Sequence, residues 1–194
     1  ENTLSTGKNH TINTGKQSII SGKDHTINTT TNVIVSGESN SVSSSTNTNV
    51  MGISLSATND NNSFLTGKSN SESGGNQNAV FGESNSTSNS TNALAGGKSN
   101  IINNSERNVT YGLSNNITNV VDSLTLGESN TVLDVNHSAV IGISHDISSN
   151  TYGSLSVGNS NKEWKGRFNI TGGESNQTVN SSNMTIGGIS NKMV

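Results

Sequence analysis

Asn78-Ala79-Val80-Phe81-Gly82-Glu83-Ser84-Asn85 is one copy of a pattern that runs the length of the chain. A short apolar run ends on a glycine, and a Ser-Asn pair follows one residue later. The glycines set the register. Gly7, Gly22, Gly37, Gly52, Gly67, Gly82, Gly97, Gly112, Gly127 and Gly142 stand 15 residues apart; one step of 16 leads to Gly158, and steps of 15 lead to Gly173 and Gly188. A fixed period of this length is the mark of a repeat architecture in which each unit buries its apolar face against its neighbours.

The runs before the glycines are too short for helices and rich in β-branched residues. Val33-Ile34-Val35, Leu124-Thr125-Leu126, Ala139-Val140-Ile141 and Leu155-Ser156-Val157 read as strands of four to five residues. Apolar residues at consecutive positions mean that both faces of this strand are dry. A weaker signal lies five residues after each glycine, at Ile12, Ile27, Val42, Ala57, Ile102, Ile117, Val132 and Ile147. Its neighbours are polar, so this second strand buries one face. Gly-x-Ser-Asn between the two is turn chemistry: glycine takes positive φ at low cost, and Ser and Asn side chains bond nearby backbone.

One repeat is therefore one coil of an all-β, single-stranded parallel β-solenoid, with strand, glycine turn, strand and polar turn. Thirteen coils at the spacing of hydrogen-bonded strands would stack over about 60 Å. Residues 1–194 then form one domain with no room for a second. The two-faced strand needs a second dry neighbour, and the chain has nothing left to supply it. The expectation is an obligate oligomer with Ile34, Phe64, Phe81, Leu124, Leu126, Ile141 and Val157 in its shared core. Periodicity alone does not give the copy number. One residue past the glycine, Lys23 over Glu38 and Lys68-Glu83-Lys98 put opposite charges one coil apart, which fixes register more than it stabilises.

Composition narrows the function. The chain of 194 residues has 34 Asn, 35 Ser and 22 Thr, only 27% hydrophobic residues, no Cys and no Pro. Without Cys there is no disulfide scaffold, thiolate metal site or thiol nucleophile. A net charge of −3 gives no cationic field for nucleic acid. No apolar run is long enough to span a membrane, and no N-terminal targeting signal is present, so any leader has been removed or lies outside these residues.

The candidates for chemistry are weak. His10, His25 and His145 occupy the Asn slot of the repeat, which points to turn hydrogen bonding rather than metal binding; His137 stands apart. Acidic residues recur at no fixed spacing. Gly67-Lys68-Ser69 and Gly97-Lys98-Ser99 resemble the end of a phosphate loop but lack its first glycine and its helix. We expect no catalytic residues, no cofactor and no metal. Two places break the repeat. Glu72-Ser73-Gly74-Gly75 loses the apolar residue of the weaker strand and reads as a bulge. Asn161-Lys162-Glu163-Trp164-Lys165-Gly166-Arg167-Phe168 holds the only Trp and the densest group of bases. Trp164, Lys165, Arg167 and Phe168 have the make-up of a protein-binding hot spot; the plainer alternative is that Trp164 covers a loosened coil.

The strings at 78–85, 122–129 and 137–144 resemble the Asn-Ser-Val-Ala-Ile-Gly-x-Ser repeat of YadA-like head domains of trimeric autotransporter adhesins. The resemblance covers essentially every repeat. It implies a left-handed parallel β-roll packed as a homotrimer, with one face of the two-faced strand on the trimer axis. It further implies display at the bacterial outer membrane and attachment to host matrix such as collagen, or to an immunoglobulin-like cell-surface receptor of the CEACAM type. Neck, stalk and membrane anchor would lie outside these residues. The slot before the glycine departs from the family's Ile at Met51, Thr66, Gly96 and Tyr111. Two other classes share solenoid architecture. A glycan-processing enzyme needs clustered acids, which the sequence scatters. An ice-binding solenoid needs a regular Thr column, and Thr29-Thr30-Thr31 is local.

Overall fold

The computed structural model describes residues 2–193, which form twenty-five short strands in a single parallel sheet. The residues divide into two units, Glu1–Ser99 and Asn100–Val194. Each unit is a β-solenoid built from coils of the predicted period. In the first unit the strand Ala79–Glu83 pairs in parallel with Phe64–Lys68 on one side and Leu94–Lys98 on the other, each residue facing the one 15 positions away. In the second, Ala139–Ile143 pairs the same way with residues 124–128 and, across the long step, with Leu155–Asn159.

The strand before each glycine alternates. Its middle residue points in, and its two neighbours point out. In the first unit the inward column is Ile20, Val35, Val50, Leu65, Val80 and Ala95, all fully buried. The second strand adds Ile27, Val42 and Ala57 in that unit, and Ile102, Ile117, Val132 and Ile147 in the other. Period-2 alternation is the ordinary consequence of a pleated strand with one face in the core.

The stacking explains the glycines. Gly82 has φ +105°, which an L side chain rarely adopts, and a Cβ there would collide with the carbonyl oxygen of Gly97 in the next coil. The other corners are mostly made without glycine, Gly74 and Gly153 being the exceptions among the described residues. Asn32, Ser39 and Ser44 have φ of 54°, 57° and 51°, a region that small polar residues tolerate best.

Three features differ from the sequence expectation. First, the coil has a third side. What reads as a polar turn contains a further parallel ladder, with bridges Thr31 to Thr46 and Thr46 to Asn61 in the first unit, and Tyr152 to Arg167 and Arg167 to Ser182 in the second. Its inward residue is Ser45 or Asp60 in one unit and Val120 or Val135 in the other, all buried.

Second, the Asn three residues after the glycine is interior, not turn surface. The Asn40 side-chain NH2 donates to the carbonyl of Ser36 in its own coil (2.8 Å) and of Gly52 in the next (3.0 Å). Its side-chain oxygen accepts from the backbone N–H of Leu55 (2.9 Å). Asn161 repeats all three bonds in the second unit, to Val157, Gly173 and Asn176. The amide is the one small side chain that offers two donors and an acceptor in this geometry. A low count of hydrophobic residues therefore does not starve the core, because a hydrogen-bonded column fills one of its walls.

Third, Glu72–Gly75 is not a bulge. Ser71–Ser73 pairs without a slip to residues 56–58 and 86–88. The irregularity sits where the period is 16: Val135 pairs with Thr151, and Ser149 and Asn150 carry successive positive φ of 63° and 64°. The coil of Trp164 that follows is regular, because Lys162–Trp164 pairs in register with residues 146–148 and 177–179. Trp164 does not cover a loosened coil.

Candidate functional site

The outer face of the strand before the glycine is apolar. Ile34, Phe64 and Leu124 stand three residues before their glycines, and Phe81, Leu126, Ile141 and Val157 one residue before theirs. All seven point away from the coil interior and are half-buried or exposed, Ile34 at 42% and Ile141 at 36%. The pattern is sharpest in the second unit. Thr110, Thr125, Ser156 and Thr171 point inward and are buried, while Val109, Leu155, Val157 and Ile170 face out. Polar inside and apolar outside is the inverse of what one isolated coil would favour.

A second surface lies on the strand after the glycine. Asp146, Lys162 and Gln177 face out in one column, with Ser148, Trp164 and Val179 beside them in the next. Trp164 is 49% exposed, and the Lys165 ammonium lies 5.4 Å from its ring centroid. Phe168 is 56% exposed and keeps different company: its ring meets Tyr152 edge-on at 5.4 Å, and Tyr152 lies 4.8 Å from the His137 ring. The four residues expected as one hot spot therefore fall into two groups, with Arg167 on the third side of the coil between them in sequence. Lys165 and Phe168 both hold positive φ, 54° and 51°, at corners where other coils often place a smaller residue such as Asn. A bulky residue there costs about 1–3 kcal/mol unless its surroundings hold it.

Charge ladders follow the stacking. Lys23 meets Glu38 at 3.1 Å and Lys98 meets Glu83 at 3.4 Å, whereas Lys68 has no carboxylate within ion-pair distance among the described residues. Arg107 bonds the Asp122 carboxylate, and the His137 ring stands 3.2 Å from it on the far side. The Arg107 hydrogen bond holds the Asp122 carboxyl below its ordinary range.

The interior brings together groups that the sequence scatters. Glu72 and Glu163 take the inward apolar slot of the second strand and are wholly buried. The Glu72 Oε1 accepts from the Ser63 hydroxyl and from the Asn78 amide, both at 2.8 Å. Glu163 repeats the arrangement with Ser154 (2.6 Å) and Asn169 (2.8 Å). In each case a glycine, Gly75 or Gly166, leaves room for the carboxyl, since a Cβ there would strike its oxygen. Burial pushes both carboxyls up. Asp60, buried on the third side, is pushed up to about 7, first by burial and then by Glu72. The two Ser-Glu-Gly-Asn sets share one spacing: Ser nine residues before Glu, Gly three after and Asn six after.

His10, His25 and His145 stand in the Asn column, as expected. His145 Nε2 faces the carbonyls of Ile141 (3.2 Å) and Gly158 (3.1 Å), so it carries the proton; Nδ1 accepts from the Ser156 hydroxyl at 3.1 Å. Burial lowers its pKa, and the ring acts as a neutral substitute for the Asn amide. His10 and His25 stack with centroids 5.0 Å apart. Among the described residues, no three His, Asp or Glu side chains are placed to hold one metal ion.

Carrying the period of 15 through every position would have revealed two of the missed features. Val120 and Val135 mark the third side, and Asp60, Glu72 and Glu163 fall on inward positions. Nothing in the sequence places Ser63 or Ser154 on those carboxyls. No family model matches the chain, and no curated protein matches it.

Proposed function

We propose that this chain is the head of a trimeric bacterial surface adhesin of the YadA-like kind: a left-handed β-roll, packed as a homotrimer, that attaches its cell to host matrix or to an immunoglobulin-like receptor without catalysis. The observation that carries the reading is the inverted strand Leu124-Thr125-Leu126, repeated at Leu155-Ser156-Val157. A hydroxyl in the core and two aliphatic side chains outside are stable only if another surface covers the outer face. Repetition suits adhesion, because many weak contacts along one chain add up through multivalency. A glycan-processing reading calls for two accessible carboxylates, and the pair brought together here, Asp60 and Glu72, is buried.

Light scattering on the purified chain tests the assembly: three chains per particle is the expected result, and a stable monomer at micromolar concentration overturns it. A binding screen against matrix proteins and receptor ectodomains tests the adhesion.

One observation favours a second reading, an ice-binding solenoid. Ser41 and Ser43, Ser56 and Thr58, Ser71 and Ser73, and Ser86 and Ser88 form two outward hydroxyl columns in register on the first unit. Thermal hysteresis in the isolated chain would support it; ordinary freezing would leave the adhesin.

A further inference from the structure

The surface beside Trp164 has the shape and chemistry of a small-molecule site. A groove of about 120 Å³ runs between the two outward columns of the strand after the glycine. Its walls are Asp146, Lys162 and Gln177 on one side and Ser148 and Trp164 on the other. Glu163 and Thr178 also line it, and because their side chains point into the coil, their backbone forms the floor. Drug-sized ligands need cavities of roughly 300–1,000 Å³; this one has room for a single ring.

The walls say what kind of ring. One is the Trp164 ring, and an aromatic face suits the C–H face of a saturated ring. The others are a carboxylate acceptor, an ammonium donor, an amide that does both and a hydroxyl that does both. No aliphatic side chain lines the groove, so an apolar guest would find only one surface to rest on. A ring with one apolar face and a rim of hydroxyls matches all of these walls.

Charge narrows it further. Lys162, Lys165 and Arg167 lie within six residues in a chain of net charge −3. Among the described residues none of the three reaches a carboxylate within ion-pair distance, unlike Lys23, Lys98 and Arg107. Lys162 lines the groove itself, and Lys165 holds its charge against the Trp164 ring. Unpaired cations at the rim of a site are free to pair with an anionic ligand.

We infer that the Trp164 groove binds one anionic sugar residue of a glycan, a pyranose carrying a carboxylate or a sulfate. The ring stacks on Trp164, its hydroxyls bond Asp146 and Gln177, and its anionic group meets Lys162 and Lys165. This rests on the reading of the chain as a binding module and names the ligand chemistry of its Trp164 site. The groove lies on a different strand of the coil from the apolar outer face.

Trp164 is the only tryptophan, so its emission reports on this site alone. The intact chain is titrated with sialyllactose, with a sulfated heparin disaccharide and with lactose as the neutral control. The expected result is a saturable change with at least one anionic sugar and binding of lactose weaker by about tenfold or more, a difference of 1.4 kcal/mol. Sialyllactose and the sulfated sugar separate the carboxylate from the sulfate. By calorimetry, Trp164→Phe should keep binding, Trp164→Ala should abolish it, and Lys162→Gln should weaken it about fivefold or more. No saturable change with either anionic sugar, or equal binding of lactose, overturns the inference. Should Trp164→Ala fail to fold, Lys162→Gln on an exposed side chain still decides: unchanged affinity overturns it. The outcomes separate from those of the adhesin reading. A silent titration with intact trimers and receptor binding removes the sugar site only, whereas a monomer in light scattering removes the adhesin head and leaves the titration readable.

Discussion

Asn115 shows how a chain so poor in apolar residues holds a core. Its amide donates to the Gly127 carbonyl at 2.9 Å, and its oxygen accepts the backbone N–H of Asn130 at 3.0 Å. Removing the side chain leaves buried backbone groups without partners, which costs more than the bonds themselves contribute. Asn115→Ala should destabilise the chain by about 3 kcal/mol, read from urea unfolding. Gly82→Ala should be worse, because positive φ and the collision with the Gly97 carbonyl act together. Both positions are legible as repeat positions. The direction of the Asn is not, since Gly-x-Ser-Asn looks the same whether its last residue faces water or the core.

Among elements, the informative one is the second strand, where an inward Glu replaces an apolar residue at Glu72 and Glu163. Folding binds protons here: Asp60 titrates at about 7 in the fold against an ordinary 3.8, and Glu72 and Glu163 shift the same way. The unfolded chain holds fewer protons in that window, so the stability Asp60 contributes is complete below pH 3.8 and is lost as the pH rises through about 7, and Glu72 and Glu163 act in the same direction. His145, with its lowered pKa, acts in the opposite sense: its contribution is complete above the ordinary 6.5 and falls away below it. Asp60→Asn should flatten the decline in thermal midpoint between acid and neutral pH, measured by circular dichroism at fixed salt; an unchanged slope would place the dependence elsewhere. The loss of apolar residues at 72 and 163 is plain in the sequence. At Glu72 the reading as a bulge failed because the strand stays in register and the carboxyl turns inward onto Ser63 and Asn78, nine and six residues away.

For the whole molecule, the decisive question is what covers the outer face. In the proposed trimer, Leu124 and Leu126 meet their copies, so Leu124→Asp combined with Leu126→Asp should shift the particle toward monomer in light scattering while the parallel β spectrum persists. Loss of the spectrum with loss of assembly would show that the coil cannot stand alone, which the buried hydroxyls of Thr110, Thr125 and Thr171 would explain.

The sequence by itself determined the period, the parallel stacking of like on like and the apolar outer face, because all three follow from a repeat of 15 combined with the period of 2 of a strand. Only the tertiary structure decided that the Asn column is interior and that two glutamates are buried with matched partners. Each of these depends on how the coil closes on itself. Closure brings together residues six, nine and twelve apart, such as Glu72 with Asn78, Glu72 with Ser63, and Asn40 with Gly52. Local propensity carries no record of those distances, because corners of positive φ set them and Ser and Asn enter such corners as readily as they enter strands.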